Sequence, residues 1–204
     1  MKKRVAVLIS GRGSNLKALI DACAAPEYPA EIALVISSRE DAQGLAVAKE
    51  AGVPATVIPH QRFETREAFD GEIDAALRGA RIDIVCEAGF MRIHSNDFVR
   101  KWEGRMLNIH PSLLPAFKGI RVHQQALEAG VKISGCTVHF IVTELDSGPI
   151  IAQASVPVLP GDTTEALAAR VLIEEHRIYP WALRQVAEGR IALRDGRAIF
   201  APSS

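Results

Sequence analysis

The sequence has no charge imbalance, little cysteine and few aromatic residues. Lys plus Arg and Asp plus Glu stand at 24 each in 204 residues, so the formal net charge is zero. There is no basic excess to draw a polyanion, which argues against a dedicated nucleic-acid binder. The three cysteines, Cys23, Cys86 and Cys136, are widely and irregularly spaced and match neither a zinc nor a disulfide framework. They read as reduced core thiols of a cytoplasmic protein. Aromatic residues make up 5% of the chain and form no stacking surface. No apolar run approaches the roughly 20 residues of a membrane helix. The basic opening Met1-Lys2-Lys3-Arg4 leads into an apolar stretch that stops at Ser10-Gly11, too short for a signal-peptide core. No repeat, low-complexity tract or Pro/Gly/Ser-rich linker divides the chain, so one domain over residues 1–204 is expected.

The rest of the composition is globular, with 48% hydrophobic and 24% charged residues. In the first half, strand and helix signals alternate. Residues 4–9 and 31–37 are continuous apolar runs of the buried-strand type, and 55–58 and 82–86 are shorter ones. Helical patterns follow at 16–23, 43–51 and 64–78. This alternation predicts a doubly wound α/β domain, its mainly parallel sheet covered by helices on both faces. Ligands of such sheets bind beyond the carboxyl ends of the strands, where strand order switches. In the second half, from residue 105, a short strand at 105–109 precedes an irregular loop, a helix near 122–129 and two strands at 132–142 and 150–158. Asp162-Thr163-Thr164-Glu165 reads as a capping box with Asp162 at its head, opening a helix to about residue 188 that Pro180 should kink or restart. Asp195-Gly196 between two apolar triplets predicts a C-terminal hairpin.

Four places could carry chemistry. Ser10-Gly11-Arg12-Gly13-Ser14-Asn15 follows the first strand and opens a helix, so its backbone N–H groups could cradle an anion. The third glycine of a dinucleotide fingerprint is replaced by Leu16, and no P-loop ending follows; a single phosphate fits better. In Asn108-Ile109-His110-Pro111, strand alternation puts Asn108 and His110 on one face, and Pro111 keeps His110 out of the helical region. An amide and an imidazole there could donate to an oxyanion. Asp146 lies in the turn-rich stretch 144–149, and a carboxylate beside His110 would favour imidazolium. Glu175 shares a helical stripe with Ala168, Leu172 and Tyr179, where a buried carboxylate needs a cationic partner or a ligand. His60, His94, His123, His139 and His176 show no metal-ligand spacing, and no metal is expected.

Several longer segments are distinctive. Residues 7–16, 88–93, 108–115, 138–140, 144–149 and 174–180 resemble, in the same order and spacing over nearly the whole chain, the phosphoribosylglycinamide formyltransferases, folate-dependent enzymes of purine synthesis. The resemblance implies a Rossmann-like formyltransferase fold whose residues 1–104 bind phosphate and whose residues 105–204 carry catalysis and folate. It implies 10-formyltetrahydrofolate as formyl donor and glycinamide ribonucleotide as acceptor. Gly13, Ser14, Asn15 and Glu175 would hold the ribonucleotide. Arg66, Met91, Arg92, Ile93, His94 and Asn108 would line the folate site, with backbone of the 142–146 loop on the pterin. Asn108, His110 and Asp146 would be the catalytic trio of a monomer or homodimer that needs no metal, nucleic acid or membrane.

Against the family pattern, Glu87 and His94 replace apolar residues and Arg121 replaces another polar one. Glu87 is expected to pair with Arg92 or His94. Alternative readings are formylation of methionyl-tRNA, hydrolysis of the folate, or phosphate-ligand binding without catalysis. The neutral charge speaks against the first, the missing N-terminal regulatory region against the second, and the Asn108, His110 and Asp146 cluster against the third.

Overall fold

In the computed structural model, which describes residues 1–201, the element order follows the alternation read from the sequence. Five parallel strands come first: β1 (Lys3–Ile9), β2 (Ala30–Ser37), β3 (Ala55–Val57), β4 (Ile84–Glu87) and β5 (Met106–His110). Two antiparallel strands, β6 (Ile133–Phe140) and β7 (Ile150–Pro157), extend the sheet in the order β3-β2-β1-β4-β5-β6-β7. Residues 202–204 of the expected domain lie outside the described residues.

The run Val5-Ala6-Val7-Leu8-Ile9 shows why the central strands are apolar throughout. Val5, Val7 and Ile9 pack on one face with Leu16 and Leu19 of α1 (Ser14–Cys23) and Leu167, Val171 and Tyr179 of a long helix, α6 (Thr164–Ala187). Ala6 and Leu8 pack on the other face with Phe69, Ile73 and Leu77 of α3 (Arg66–Gly79) and Phe98 of α4 (Asn96–Lys101). Both faces are covered, so alternation with polar residues would leave polar groups buried. The remaining helices are α2 (Gly44–Glu50) and α5 (Val122–Glu128).

Three details differ from the sequence expectation. Thr163, not Asp162, caps α6, its side chain accepting from the Ala166 N–H. Asp162 instead forms a two-point pair with Arg170 and accepts from the Leu159 N–H, a better use of two carboxylate oxygens than one cap. Pro180 does not divide α6, which runs through it as one helix. Helix α4 was not expected; its signal is Ser95, which caps it by accepting from the Phe98 N–H. The C-terminal hairpin forms as expected from β8 (Ile191–Arg194) and β9 (Arg197–Phe200), with Asp195 and Gly196 both at positive φ. Among the described residues no helix is long and apolar enough to cross a membrane.

Strand order reverses at β1, between β2 and β4, so the crevice opens beyond Ile9 and Glu87. Gly13 makes the first turn of that crevice. Its φ is +79°, and a Cβ there would sit 2.5 Å from the Gly44 Cα. Gly13→Ala therefore combines a left-handed strain with a backbone clash, and we expect it to destabilise the fold by about 2 kcal/mol or more. Urea unfolding of the purified variant measures this.

Candidate active site

Two cavities flank the carboxyl edge of the sheet. The wider, about 530 Å³, opens on the α1 and α6 side and is lined by residues 10–15, Pro111, His123 and Glu175, among others. This volume is within the range of small-molecule sites. Gly13 is the N-cap of α1, and no side chain caps that helix, so its first N–H groups stay free for an anion. Buried Ser10 braces the turn: its hydroxyl shares a hydrogen bond with Ser38 at 2.7 Å and accepts from the Met91 N–H at 2.9 Å. Glu175 sits on the stripe of α6 facing this cavity, only 7% exposed. Its carboxylate accepts from the Asn15 side-chain N–H at 2.7 Å. Burial pushes its pKa above the ordinary carboxylate value, against the lowering pull of Asn15 and Arg12. The amide is a neutral partner, so the carboxylate remains without a close cation.

The narrower cavity, about 90 Å³, opens on the α3 and α4 side. Strand register builds its floor. Glu87 of β4 lies opposite Asn108 of β5, and Asn108 lies opposite His139 of β6, giving one polar row across three strands. The His139 Nδ1–H donates to the Phe140 carbonyl at 2.9 Å. Its Nε2 is therefore an acceptor, and Asn108 Nδ2 donates to it at 3.2 Å. Burial lowers the His139 pKa, which keeps the ring neutral and suited to accept. One N–H of Asn108 remains for a ligand.

His110, at the end of β5 and 5% exposed, stands where the chain passes from one cavity to the other. Its Nε2–H donates to the Phe117 carbonyl at 2.9 Å, and its Nδ1 faces Asp146 at 3.5 Å. The other Asp146 oxygen accepts from the Gly119 N–H at 2.8 Å. Imidazole and carboxylate thus face each other, and Asn108 shares the narrower cavity with Asp146. The three thiols are buried and unpaired, and burial pushes Cys23 and Cys136 up to about 12.

Residues 3–183 match the formyl transferase family model. This chain belongs to the formyl transferase family. It is 45% identical over 194 residues to the phosphoribosylglycinamide formyltransferase of Escherichia coli strain K12, an alignment covering 95% of this chain and 92% of that protein. It is 54% identical over 198 residues to the trifunctional purine biosynthetic protein adenosine-3 of Homo sapiens, covering 97% of this chain. The chain spans about 20% of the length of that relative. The crystal structure of glycinamide ribonucleotide transformylase 1 from Symbiobacterium toebii superposes with a TM-score of 0.94 at 49% identity, covering 98% of this chain and 94% of that one.

Within this formyl transferase, most of the residues singled out from the sequence divide between the two cavities, while His110 lines neither. Gly13, Ser14, Asn15 and Glu175 line the wider one; Arg92, Ile93, His94, Asn108 and Asp146 line the narrower. Met91 faces the wider cavity rather than the one holding its neighbours. Arg66 lies apart, in an exposed cleft with Ser95, Asn96, Asp97 and Arg100. Glu87 pairs with His94 rather than Arg92, at 2.9 Å. Sequence reasoning missed His139 as the partner of Asn108, which only register reveals, and Asp70, whose carboxylate lies 2.6 Å from His94. Among the described residues no cluster of His, Cys, Asp and Glu could hold a metal.

Glu175 generates a prediction with a definite sign. Its folded pKa is raised, so the native state holds its proton to higher pH than the unfolded chain. Stability from this group is present in acid and declines as pH rises from the ordinary Glu value through the raised one. Glu175→Gln should remove that decline, so the variant gains stability over wild type at pH 7 but not at about pH 4. Paired urea titrations at the two pH values check it.

Proposed function

We propose that this formyl transferase moves the formyl group of 10-formyltetrahydrofolate to the amine of glycinamide ribonucleotide, giving the N-formyl product and tetrahydrofolate in purine biosynthesis. The observation that carries this reading is the pair of cavities beyond the strand ends: one has an uncapped helix N-terminus and a buried carboxylate, the other is lined by Asn108 and by Asp146, which faces His110. The 45% identical Escherichia coli enzyme carries that name over nearly the same length. The phosphate would rest on Gly13, Ser14 and Asn15, and Glu175 would hold the glycinamide amine. The folate would enter the narrower cavity against Arg92, Ile93, His94 and backbone of the 142–146 loop. Met91 borders the acceptor side, and Arg66 in its outer cleft suits the carboxylate tail of the folate.

The chemistry follows from the donors in place. The amine nitrogen bonds to the formyl carbon, whose oxygen becomes an oxyanion. The free N–H of Asn108 and the Nδ1–H of His110 donate to it, while the Phe117 carbonyl holds the far side of the ring. Asp146, which faces His110 at 3.5 Å, carries through water the proton lost by the amine to N10 of the folate as the carbon–N10 bond breaks. Both substrates are small molecules, and we assign the chain no nucleic-acid or membrane partner. It acts as a monomer or homodimer in the cytoplasm, where three unpaired thiols suit the reducing conditions.

The test supplies both substrates to the purified chain and follows folate absorbance. Formylated ribonucleotide should appear at the rate tetrahydrofolate forms. Folate consumed equally without ribonucleotide, or only when methionyl-tRNA is added, would reject the assignment. His110→Ala and Asp146→Asn should each lower kcat about 10²–10³-fold, with ribonucleotide affinity by calorimetry retained.

A further inference from the structure

His94 sits between two buried carboxylates, those of Asp70 and Glu87. The ring is 6% exposed and lies between Phe90 and Phe98, with ring centres 5.3 and 4.4 Å away. Its Nδ1–H donates to Asp70 Oδ1 at 2.6 Å. Its Nε2 is 2.9 Å from Glu87 Oε1, and neither atom has another partner. Asp70 is 2% exposed and its second oxygen accepts from the Ser95 N–H at 2.6 Å, so one carboxylate of α3 holds both ends of the His94–Ser95 step.

Two carboxylates and one imidazole share this apolar slot. An imidazolium placed between them supplies the cation that two buried carboxylates would otherwise lack. Burial alone pulls the His94 pKa down, but Asp70 and Glu87 outweigh it and carry it from 6.5 to about 9. The other ionisable groups around the cavity are Arg92 on the same loop and His139, Glu144 and Asp146 across it. The face of α4 packed on the ring is the apolar Phe98.

Glu87 and His94 also form the wall of the narrower cavity, in the same polar row as Asn108. We propose that His94 is a positioning residue for the formyl donor: as imidazolium it fixes Glu87 and the Arg92–His94 wall, and its deprotonation weakens folate binding while leaving the phosphate cradle intact. This rests on the folate reading of that cavity. The sign follows from the pair geometry. The contribution of His94 is complete below its unfolded value and is lost as pH rises through the folded one.

The experiment compares wild type, His94→Leu, Glu87→Leu and the double variant by KM for each substrate from about pH 6.5 to about pH 10. His94→Leu should raise the folate KM about tenfold, the size of a buried pair coupling of 1–2 kcal/mol, and leave the ribonucleotide KM within about twofold. The double variant, which removes both charges that face the cavity, should lose the alkaline limb. Ionisation of the folate itself would survive in the double variant, so an identical limb there overturns the proposal, as does an unchanged folate KM in His94→Leu. A wild-type NMR titration of the histidine nitrogens covers the case of variants that do not fold. A His94 still doubly protonated at about pH 8 supports the role, and a neutral ring at pH 7 overturns it. Absence of formyl transfer in wild type would sink the function itself, an outcome distinct from transfer that ignores His94.

Discussion

Helix α6 closes the edge of the sheet on which every functional group depends. Its Tyr179 is fully buried, and the hydroxyl donates to the carbonyls of Glu87 at 2.9 Å and Leu107 at 3.1 Å. The Glu87 carbonyl ends β4 and the Leu107 carbonyl lies within β5, one residue before Asn108. Burial holds Tyr179 well above its ordinary pKa, so it remains a donor throughout the range in which the protein works. One turn earlier the same helix face delivers Glu175 to the wider cavity. Near its far end the Pro180 carbonyl accepts from Tyr28 and ties α6 to the start of the sheet. A single helix therefore holds two neighbouring strands and one wall of the wider cavity together. Packing errors in α6 reach both cavities.

The two cavities handle buried carboxylates in opposite ways. Glu175 meets an amide, so its charge is poorly compensated and its proton affinity rises. That suits a group waiting for an ammonium or amine from outside, because the ligand supplies the missing partner. Glu87 meets an imidazole already held by a second carboxylate, so its compensation is internal. The first arrangement favours binding of a polar ligand; the second favours a fixed wall. Asn108 sits between them, its orientation dictated by a neutral His139 rather than by a charge.

The architecture was legible in the sequence because its signals are local. Buried runs, helical spacing and Asp195-Gly196 each depend on residues a few positions apart. The glycine turn and Asn108-Ile109-His110 were legible for the same reason. The Asp70, His94 and Glu87 cluster was only half visible. Glu87 and His94 stood out as charged or polar groups in an apolar segment, but Asp70 lies 24 residues from His94 and carries no pattern of its own. The displaced cap of α6 shows a related failure. Asp162 and Thr163 are both good caps, and the choice fell to Arg170, two turns away, which recruits the aspartate.

Conformational strain collects in the loops around His110 and Asp146. Phe117, Arg121 and Asp146 all take positive φ without being glycine, at 54°, 56° and 48°. Such positions cost of order 1 kcal/mol or more each and persist only where the surroundings fix them. The fixing contacts run between the loops: Asp146 accepts from the Gly119 N–H, and the Lys118 ammonium donates to Ser147. Gly148 then returns the chain so close to the Phe140 carbonyl that any side chain would collide with it. The Phe117 carbonyl holds one side of His110, and Asp146 faces the other. The separation of imidazole and carboxylate is thus set by loop against loop rather than by their mutual attraction. A pair held in this way is arranged by the fold itself, so a ligand that meets it requires little reorganisation.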